Sequence, residues 1–163
     1  MAKITNNVVN FKPREENQQR YVETRRKALM KDIFCPKCGV ILKGGVWQWG
    51  NQTPLICKQA LCPACQQIKE KKPAGFLTIK GSYFQENRST IMSFISRQIE
   101  EQLTQKPLSR LMSLEELSKE MVILSFTDSE LPRFLAEAIA QQFDALVDSS
   151  QTNRHGIVRV LWC

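Results

Sequence analysis

The chain has 163 residues, 42% of them hydrophobic, which is enough apolar material for one full domain or two small ones. Residues 1–20 contain no apolar run longer than Val8-Val9, and no later stretch is long enough to cross a bilayer, so we expect a cytoplasmic protein without membrane contact. In that compartment cysteines bind metal more often than they form disulfides.

Charge is divided unevenly along the chain. The net charge is +7, but residues 1–80 carry 15 Lys/Arg and 5 Asp/Glu, a net of +10, whereas residues 81–163 carry 8 and 11, a net of −3. A basic half of this kind favours contact with a polyanion such as RNA. The alternative is that the lysine-rich surface only keeps the protein soluble.

Residues 1–31 are predicted to form a basic arm followed by a basic helix. Residues 1–15 mix polar, proline and basic residues without periodicity, which favours an extended or disordered arm. Residues 16–31 are rich in helix formers, with too few apolar positions for a deeply buried face. The alternative is a solvated helix resting on the domain. The basic side chains predicted to contact nucleic acid are Arg20, Arg25, Arg26, Lys27 and Lys31.

Two CPxC turns, Cys35-Pro36-Lys37-Cys38 and Cys62-Pro63-Ala64-Cys65, lie within residues 32–73, which we call the knuckle module. Each turn can aim two thiolates at one point, and four soft sulfur ligands suit a closed tetrahedral zinc site. Proline fixes the first φ angle of each turn, and Gly39 tolerates the tight backbone that follows Cys38. The spacing predicts a zinc-ribbon or treble-clef-like module that binds Zn²⁺ through Cys35, Cys38, Cys62 and Cys65.

Other uses of these cysteines are weaker alternatives. Rubredoxin-type iron also takes two such turns, but Gln66 follows Cys65 where that class of site has glycine. A disulfide framework needs a secreted context, and a thioredoxin-like redox pair needs a βαβ setting. Cys57 is predicted to be a spare thiol packed near the metal, and Cys163 a free thiol.

The 23 residues between Cys38 and Cys62 leave room for one hairpin. Residues 40–42 and 46–49 are predicted strands, joined by a turn. Period two places Trp47 and Trp49 on one face of the second strand. Two indoles there could stack on unpaired bases, or could shield the metal and supply core to a small module, and both interpretations stay open.

Beyond Cys65, residues 66–72 are predicted to continue as one or two helical turns that end before Pro73. A ligand turn that opens directly into a helix is typical of treble-clef modules, in which this helix commonly contacts nucleic acid. Its basic side chains are predicted to extend the nucleic-acid-binding surface: Lys69, Lys71 and Lys72.

Residues 74–163 alternate between strand and helix patterns. Apolar residues recur at three- and four-residue steps from Ile91 to Leu103, which predicts a first helix that stops at Pro107. A second helix is predicted from Leu131 to Phe143, after a capping box at residues 127–130. A polar turn is expected at residues 115–119. The predicted strands are 76–79, 108–114, 121–126, 145–148 and 157–162.

The last two of these segments can pair as a hairpin around residues 149–156, although residues 145–148 could instead prolong the helix. This order, βαββαβ with a possible extra strand, predicts a ferredoxin-like α+β domain.

Catalytic motifs are missing from the sequence. The only histidine, His155, lies in a polar stretch, so a zinc site with two or three histidines is excluded. Glu115 and Glu116 are adjacent in a predicted turn and need not converge on a substrate. The pair Gly44-Gly45 lacks the Gly-Lys-Ser/Thr ending of a phosphate loop. We therefore expect a protein that is not an enzyme.

The two knuckles, the Trp47-Gln48-Trp49 strand and the segment Pro73-Ala74-Gly75-Phe76-Leu77-Thr78-Ile79-Lys80-Gly81 together resemble a small, uncharacterised family of bacterial zinc-knuckle proteins. The similarity extends through residues 110–114 and 154–156 to the C-terminus. More distantly, the cysteine and tryptophan arrangement resembles the N-terminal zinc-binding part of the export adaptor of the large ribosomal subunit in eukaryotes and its archaeal relatives. This chain has one four-cysteine site where the adaptor has more.

In the adaptor family this part binds ribosomal RNA and protein at the subunit interface, so the resemblance implies an association with the ribosome. We accordingly predict a non-enzymatic, zinc-binding RNA-binding protein attached to the ribosome or to rRNA. The alternative is a zinc-stabilised adaptor whose C-terminal domain, residues 74–163, recruits a protein partner.

Overall fold

The computed structural model describes residues 32–50, 57–152 and 155–161. This part of the chain is a mixed α+β structure with two sheets and four helices. The predicted basic arm and helix lie outside the described residues, as does Cys163. The same holds for five predicted nucleic-acid ligands: Arg20, Arg25, Arg26, Lys27 and Lys31.

The small sheet lies in the knuckle module and has the strand order β3-β2-β1-β4. The predicted hairpin is present, with β2 and β3 antiparallel and Leu42 opposite Trp47. Its turn uses Gly44 and Gly45 at φ of +59° and +85°, a conformation that favours glycine. The other two strands are too short to produce a periodic signal, and the sequence did not predict them. The strands are β1 (Ile33–Phe34), β2 (Val40–Lys43), β3 (Val46–Trp49) and β4 (Lys58–Gln59).

Helix α1 (Pro63–Glu70) follows β4 and begins inside the second CPxC turn, three residues before the predicted start. Together the small sheet and α1 form the knuckle module. The described residues belong to one compact unit, which also contains a second, larger sheet.

The large sheet has five strands in the order β6-β7-β5-β9-β8. Strand β5 pairs antiparallel with β7 and parallel with β9. Strand β7 lies between β5 and β6 and is antiparallel to both, so β5 and β6 are parallel to each other. The strands are β5 (Gly75–Lys80), β6 (Leu111–Ser118), β7 (Met121–Phe126), β8 (Leu146–Thr152) and β9 (His155–Leu161).

The second half differs from the four-stranded ferredoxin-like order. In that order the strand after the second helix would lie beside the first strand, but here β8 lies at the sheet edge and β9 occupies the inner position. The segment 145–148 leads into β8 and does not extend the helix. The helix ends at Asp144, which adopts a left-handed conformation with φ 51°.

Three helices accompany the large sheet: α2 (Ser82–Glu86), α3 (Arg88–Gln105) and α4 (Glu130–Phe143). Alternation along β5 sends Leu77 and Ile79 into the core that these helices share. The opposite side of the sheet, which we call the open face, carries half-buried side chains such as Phe76, Thr78 and Ile123. The buried core comprises Leu77, Ile79, Phe84, Ile91, Ile95, Val122, Leu124, Phe126, Leu131, Leu135, Ala136, Ile139, Val158 and Val160.

Two local predictions in this part of the chain are wrong. Residues 115–119 are not a polar turn, since β6 continues to Ser118; its exposed position at the sheet edge removes the need for apolar alternation. The capping box predicted at residues 127–130 does not form, because the Thr127 hydroxyl donates to the carbonyl of Leu108. Ser129 is the N-cap residue of α4 without a side-chain capping bond, and the Asp128 carboxylate instead accepts the N–H groups of Glu130 and Leu131 at 2.8 and 2.7 Å.

Gly75, at the start of β5, allows α4 to approach the sheet closely. A β-carbon there would collide with the backbone oxygen of Asp128 and lie 2.8 Å from Cγ of Pro132. Gly75→Ala should therefore lower the free energy of unfolding by about 1–3 kcal/mol, measured by urea denaturation. Thr78→Ala, on the open face of the same strand, is the control and should cost about 0.5 kcal/mol or less. Equal stability of the two variants would contradict this packing.

Candidate metal centre

The first knuckle is a tight turn between β1 and β2. The amide of Gly39 donates to the carbonyl of Cys35 at 2.9 Å, and the amide of Cys35 donates to Val40 at 2.9 Å. Gly39 has φ +80°, a left-handed conformation that glycine adopts without strain. This turn brings the thiols of Cys35 and Cys38 to one side of the backbone.

The second knuckle is the N-terminus of α1. Cys62 is the N-cap residue, and its Sγ accepts a hydrogen bond from the amide of Cys65 at 3.4 Å. Pro63 occupies the first helical position, where no amide hydrogen is needed. The positive end of the helix dipole offsets part of the cost of burying a thiolate at Cys62.

The two knuckles bring together the four cysteines predicted as ligands. The sulfurs of Cys35, Cys38, Cys62 and Cys65 all lie within 4.8 Å of one another. Sγ of Cys38 and Sγ of Cys62 are 3.6 Å apart, whereas the edge of a tetrahedron built on zinc–sulfur bonds of 2.3 Å is about 3.8 Å. Three of the thiols are fully buried, which closes the site to further ligands. The donor set fits one soft metal ion held by four thiolates.

The four thiols are not oxidised to disulfides. A disulfide would hold two sulfurs at about 2.05 Å, well inside the 3.6 Å between Cys38 and Cys62. Cys57, a half-buried residue before β4, is not a member of the cluster.

The proton affinities of the thiols differ because their environments differ. Burial raises the pKa of Cys35, but backbone hydrogen bonds, the first from Cys62, lower it by more, to about 6. Burial raises the pKa of Cys65 to about 12, helped by hydrogen bonds with Cys38 and Cys62, and burial also raises the pKa of Cys62. Thiolates this close repel one another, and a bound cation would remove that repulsion.

Arg110, in the connection between α3 and β6, lies against the cluster. Its Nη1 contacts Sγ of Cys65 at 3.6 Å, and its Nε donates to the carbonyl of Pro107 at 2.7 Å. Burial lowers the pKa of Arg110, but the thiolates, Cys38 first, raise it by more. Four thiolates around a divalent ion carry a net charge of about −2, so a guanidinium at this distance stabilises the occupied site.

Sequence reasoning missed Arg110 as a site residue. It lies 45 residues from Cys65 in a connection with no recognisable motif. The only signal was its place in the stretch 110–114, which carries part of the family resemblance.

The two tryptophans of β3 have different environments. Trp47 is half-buried and packs against the cysteine cluster, which supports its predicted structural role. The indole N–H of Trp49 donates to the carbonyl of Leu103 at 2.8 Å, in the last turn of α3, where carbonyls run out of donors within the helix. The guanidinium of Arg110 lies 5.6 Å from the Trp49 ring centroid, and 41% of Trp49 remains exposed.

The lysines predicted from the second knuckle are exposed on α1 or directly after it: Lys69, Lys71 and Lys72. Lys72 pairs with Glu70 at 2.7 Å. Lys71 ends the helix in a left-handed conformation with φ 54° and ψ 43°.

Comparison of the chain with models of protein families, with curated proteins and with solved structures gives no match. The resemblances drawn from the sequence therefore remain predictions. Among the helices of residues 32–50, 57–152 and 155–161, none has the length and apolar character needed to cross a bilayer.

Removal of the metal should unfold the knuckle module while the large sheet persists. The buried cluster of this module is built mainly of the ligands, and its strands have only two to four residues. We expect one metal ion per chain by mass spectrometry. After chelation, hydrogen exchange should lose protection in residues 32–50 and 57–70 but keep it in β5 and β7. Cys62→Ser should have the same effect, and Cys57→Ser is the control that retains the metal. Unchanged protection after chelation would contradict a structural metal.

Arg110→Gln should weaken metal binding by about 10–100-fold, because it removes the positive charge beside the thiolates. The measurement is competition with a chromophoric chelator at fixed pH. Arg97→Gln makes the same charge change on an exposed part of α3, where Arg97 pairs with Glu101 at 3.8 Å, and should leave affinity unchanged. Equal affinities of the two variants would show that Arg110 only fills space.

Proposed function

We propose that this chain is a non-enzymatic RNA-binding protein in which Zn²⁺ stiffens the knuckle module and α1 presents lysines to the RNA backbone. The supporting observation is the position of α1. The helix starts at two of the four cysteines of the cluster, exposes Lys69 in its last turn, and is followed directly by the exposed Lys71 and Lys72.

Zinc is the proposed ion because four thiolates without a histidine or carboxylate make a closed, soft site. Bound zinc would supply folding free energy to a module with little apolar core. Cys35, Cys38, Cys62 and Cys65 would hold the ion. Arg110 would neutralise part of the negative charge of the metal centre. The lysines in and after α1 would therefore stay available for phosphates.

Charge supports the knuckle module as the RNA-binding part of residues 32–163. Its only charged residues are six lysines, Asp32 and Glu70, a net of +4. Residues 74–163 contain 9 Lys/Arg and 11 Asp/Glu, a net of −2. The negatively charged phosphate backbone of RNA is attracted to the knuckle module and repelled by residues 74–163. The basic residues Arg25, Arg26 and Lys27 would add contacts from the N-terminal segment.

The distant resemblance to the export adaptor favours ribosomal RNA as the target. An RNA-binding role at the ribosome goes together with the cytoplasmic location expected from the sequence. Nothing in this proposal requires a reacting group, which is consistent with the lack of catalytic motifs in the sequence.

RNA affinity should fall steeply with salt, and the slope should depend on the lysines in and directly after α1. The double variant Lys69→Ala/Lys72→Ala should reduce the slope of log affinity against log salt by about one per lysine. The measurement is fluorescence anisotropy with an rRNA fragment over a KCl series. The control is Lys80→Ala/Lys119→Ala, which removes the same charge from the other end of the large sheet. A flat salt response would refute phosphate contacts.

A protein-interaction adaptor is the second candidate, favoured by the edges of the large sheet. Leu117 on β6 is 58% exposed and Leu146 on β8 is 61% exposed, and edge strands with apolar side chains can accept a partner strand. Purification from cells discriminates between the two functions. One stoichiometric protein partner without nucleic-acid absorbance would favour the adaptor, and co-purified RNA would favour the first proposal.

A further inference from the structure

A cleft of about 560 Å³ lies between the C-terminal end of α1 and the open face of the large sheet. Its floor contains Phe76 from β5, Ile123 and Ser125 from β7, and Ser113 from β6. Ile68 and Lys71 lie on the α1 side. The volume is within the range of about 300–1,000 Å³ that holds a small organic ligand.

Strand register explains why these side chains share one surface. Ser125 lies opposite both Phe76 and Ser113, so the three form a row across β5, β7 and β6. Leu77 and Leu124, their neighbours in sequence, enter the core on the other side. The hydroxyls of Ser113 and Ser125 are 2.7 Å apart, and either can donate to the other. The row therefore combines an aromatic ring with hydroxyls that both donate and accept.

Opposite charges lie at different positions around the cleft. Lys71 comes from the end of α1 and makes no ion pair within the described residues. Glu115 also lines the cleft and lies opposite Ile123. Ile123 is two residues from Ser125 on β7, so Glu115 is farther from Lys71 and α1 than the two serines are. A ligand with an anionic group near Lys71 and a polar, planar part further along the sheet would match this arrangement.

The backbone at Lys71 adds a second observation. The amides of Lys71 and Lys72 bond to Ile68 and Gln67 at 3.3 and 3.0 Å, the pattern of a helix end at which glycine is usual. A lysine in this left-handed position is strained, and strained positions cluster at functional sites. Glycine would relax the backbone, so the lysine side chain itself is the feature that needs an explanation.

We propose that the cleft binds one nucleotide, and that in the RNA complex this nucleotide is unpaired. The apolar walls and Phe76 would contact the base, whose edge offers donors and acceptors to the serine hydroxyls, and Lys71 would contact its phosphate. An apolar peptide would satisfy the walls but would leave the lysine without a counter-charge. The RNA part of this inference depends on the proposed function, whereas nucleotide binding by the cleft can be tested alone.

The test uses the full chain with its metal, titrated with AMP, CMP, GMP and UMP and followed by amide chemical shifts. Saturable shifts are expected at Lys71, Ser113 and Ser125. Ribose 5-phosphate, which has no base, should give much smaller shifts. Lys71→Gly should reduce nucleotide affinity at least tenfold without loss of thermal stability, because it removes the ammonium and relaxes the backbone. Ser113→Leu, at an exposed position, should block the cleft.

Lys80→Ala is the matched control: Lys80 is exposed at the far end of β5 and does not line the cleft, so this variant's nucleotide affinity should be unchanged. The cleft proposal is overturned if no nucleotide shifts these amides, or if Lys71→Gly and Lys80→Ala bind nucleotides equally. Salt-dependent RNA binding without cleft shifts would also overturn it, and would leave the proposed function standing. Nucleotide binding in the cleft by a chain that binds no RNA would support the cleft and overturn the proposed function.

Discussion

Four sulfurs within 4.8 Å of one another are the constraint on which the knuckle module depends. Its strands have two to four residues, and three of the five buried residues around the site are cysteines. Such a module buries too little apolar surface to offset the conformational entropy of folding. A cation that removes the repulsion between the thiolates would supply the missing free energy, because the same cysteines that bind it connect β1, β2 and α1.

Arg110 and Trp49 link this site to the large sheet. Arg110 contacts Cys65 from the connection that precedes β6, and Trp49 donates to the last turn of α3. Gln67 of α1 adds a hydrogen bond to the carbonyl of Thr127 at 3.0 Å. Polar contacts to Leu103, Arg110 and Thr127 therefore hold the knuckle module, including α1, against the large sheet and its helices. This placement puts exposed lysines beside the open face and creates the cleft between them.

Sequence reasoning succeeded where a local pattern was sufficient. The paired CPxC turns identified all four members of the cluster, and the helices starting near Ile91 and Leu131 were found because apolar periodicity recurs over several turns. It failed where the position of a segment in the sheet determines whether a polar sequence forms a strand or a turn. Residues 115–119 are polar, a pattern that predicts a turn, but at the edge of a sheet a polar strand is stable because one of its sides faces water.

The sequence by itself determined the α+β class, the β2–β3 hairpin and the cysteines that converge, since each depends on spacing within a short segment. Only the tertiary structure decided that β9 inserts beside β5, that Arg110 lies against the thiols, and that Ser113, Ser125 and Phe76 line one cleft. These features bring together residues separated by tens of positions. Strand order and long-range packing set such distances, and no period or motif along the chain encodes them.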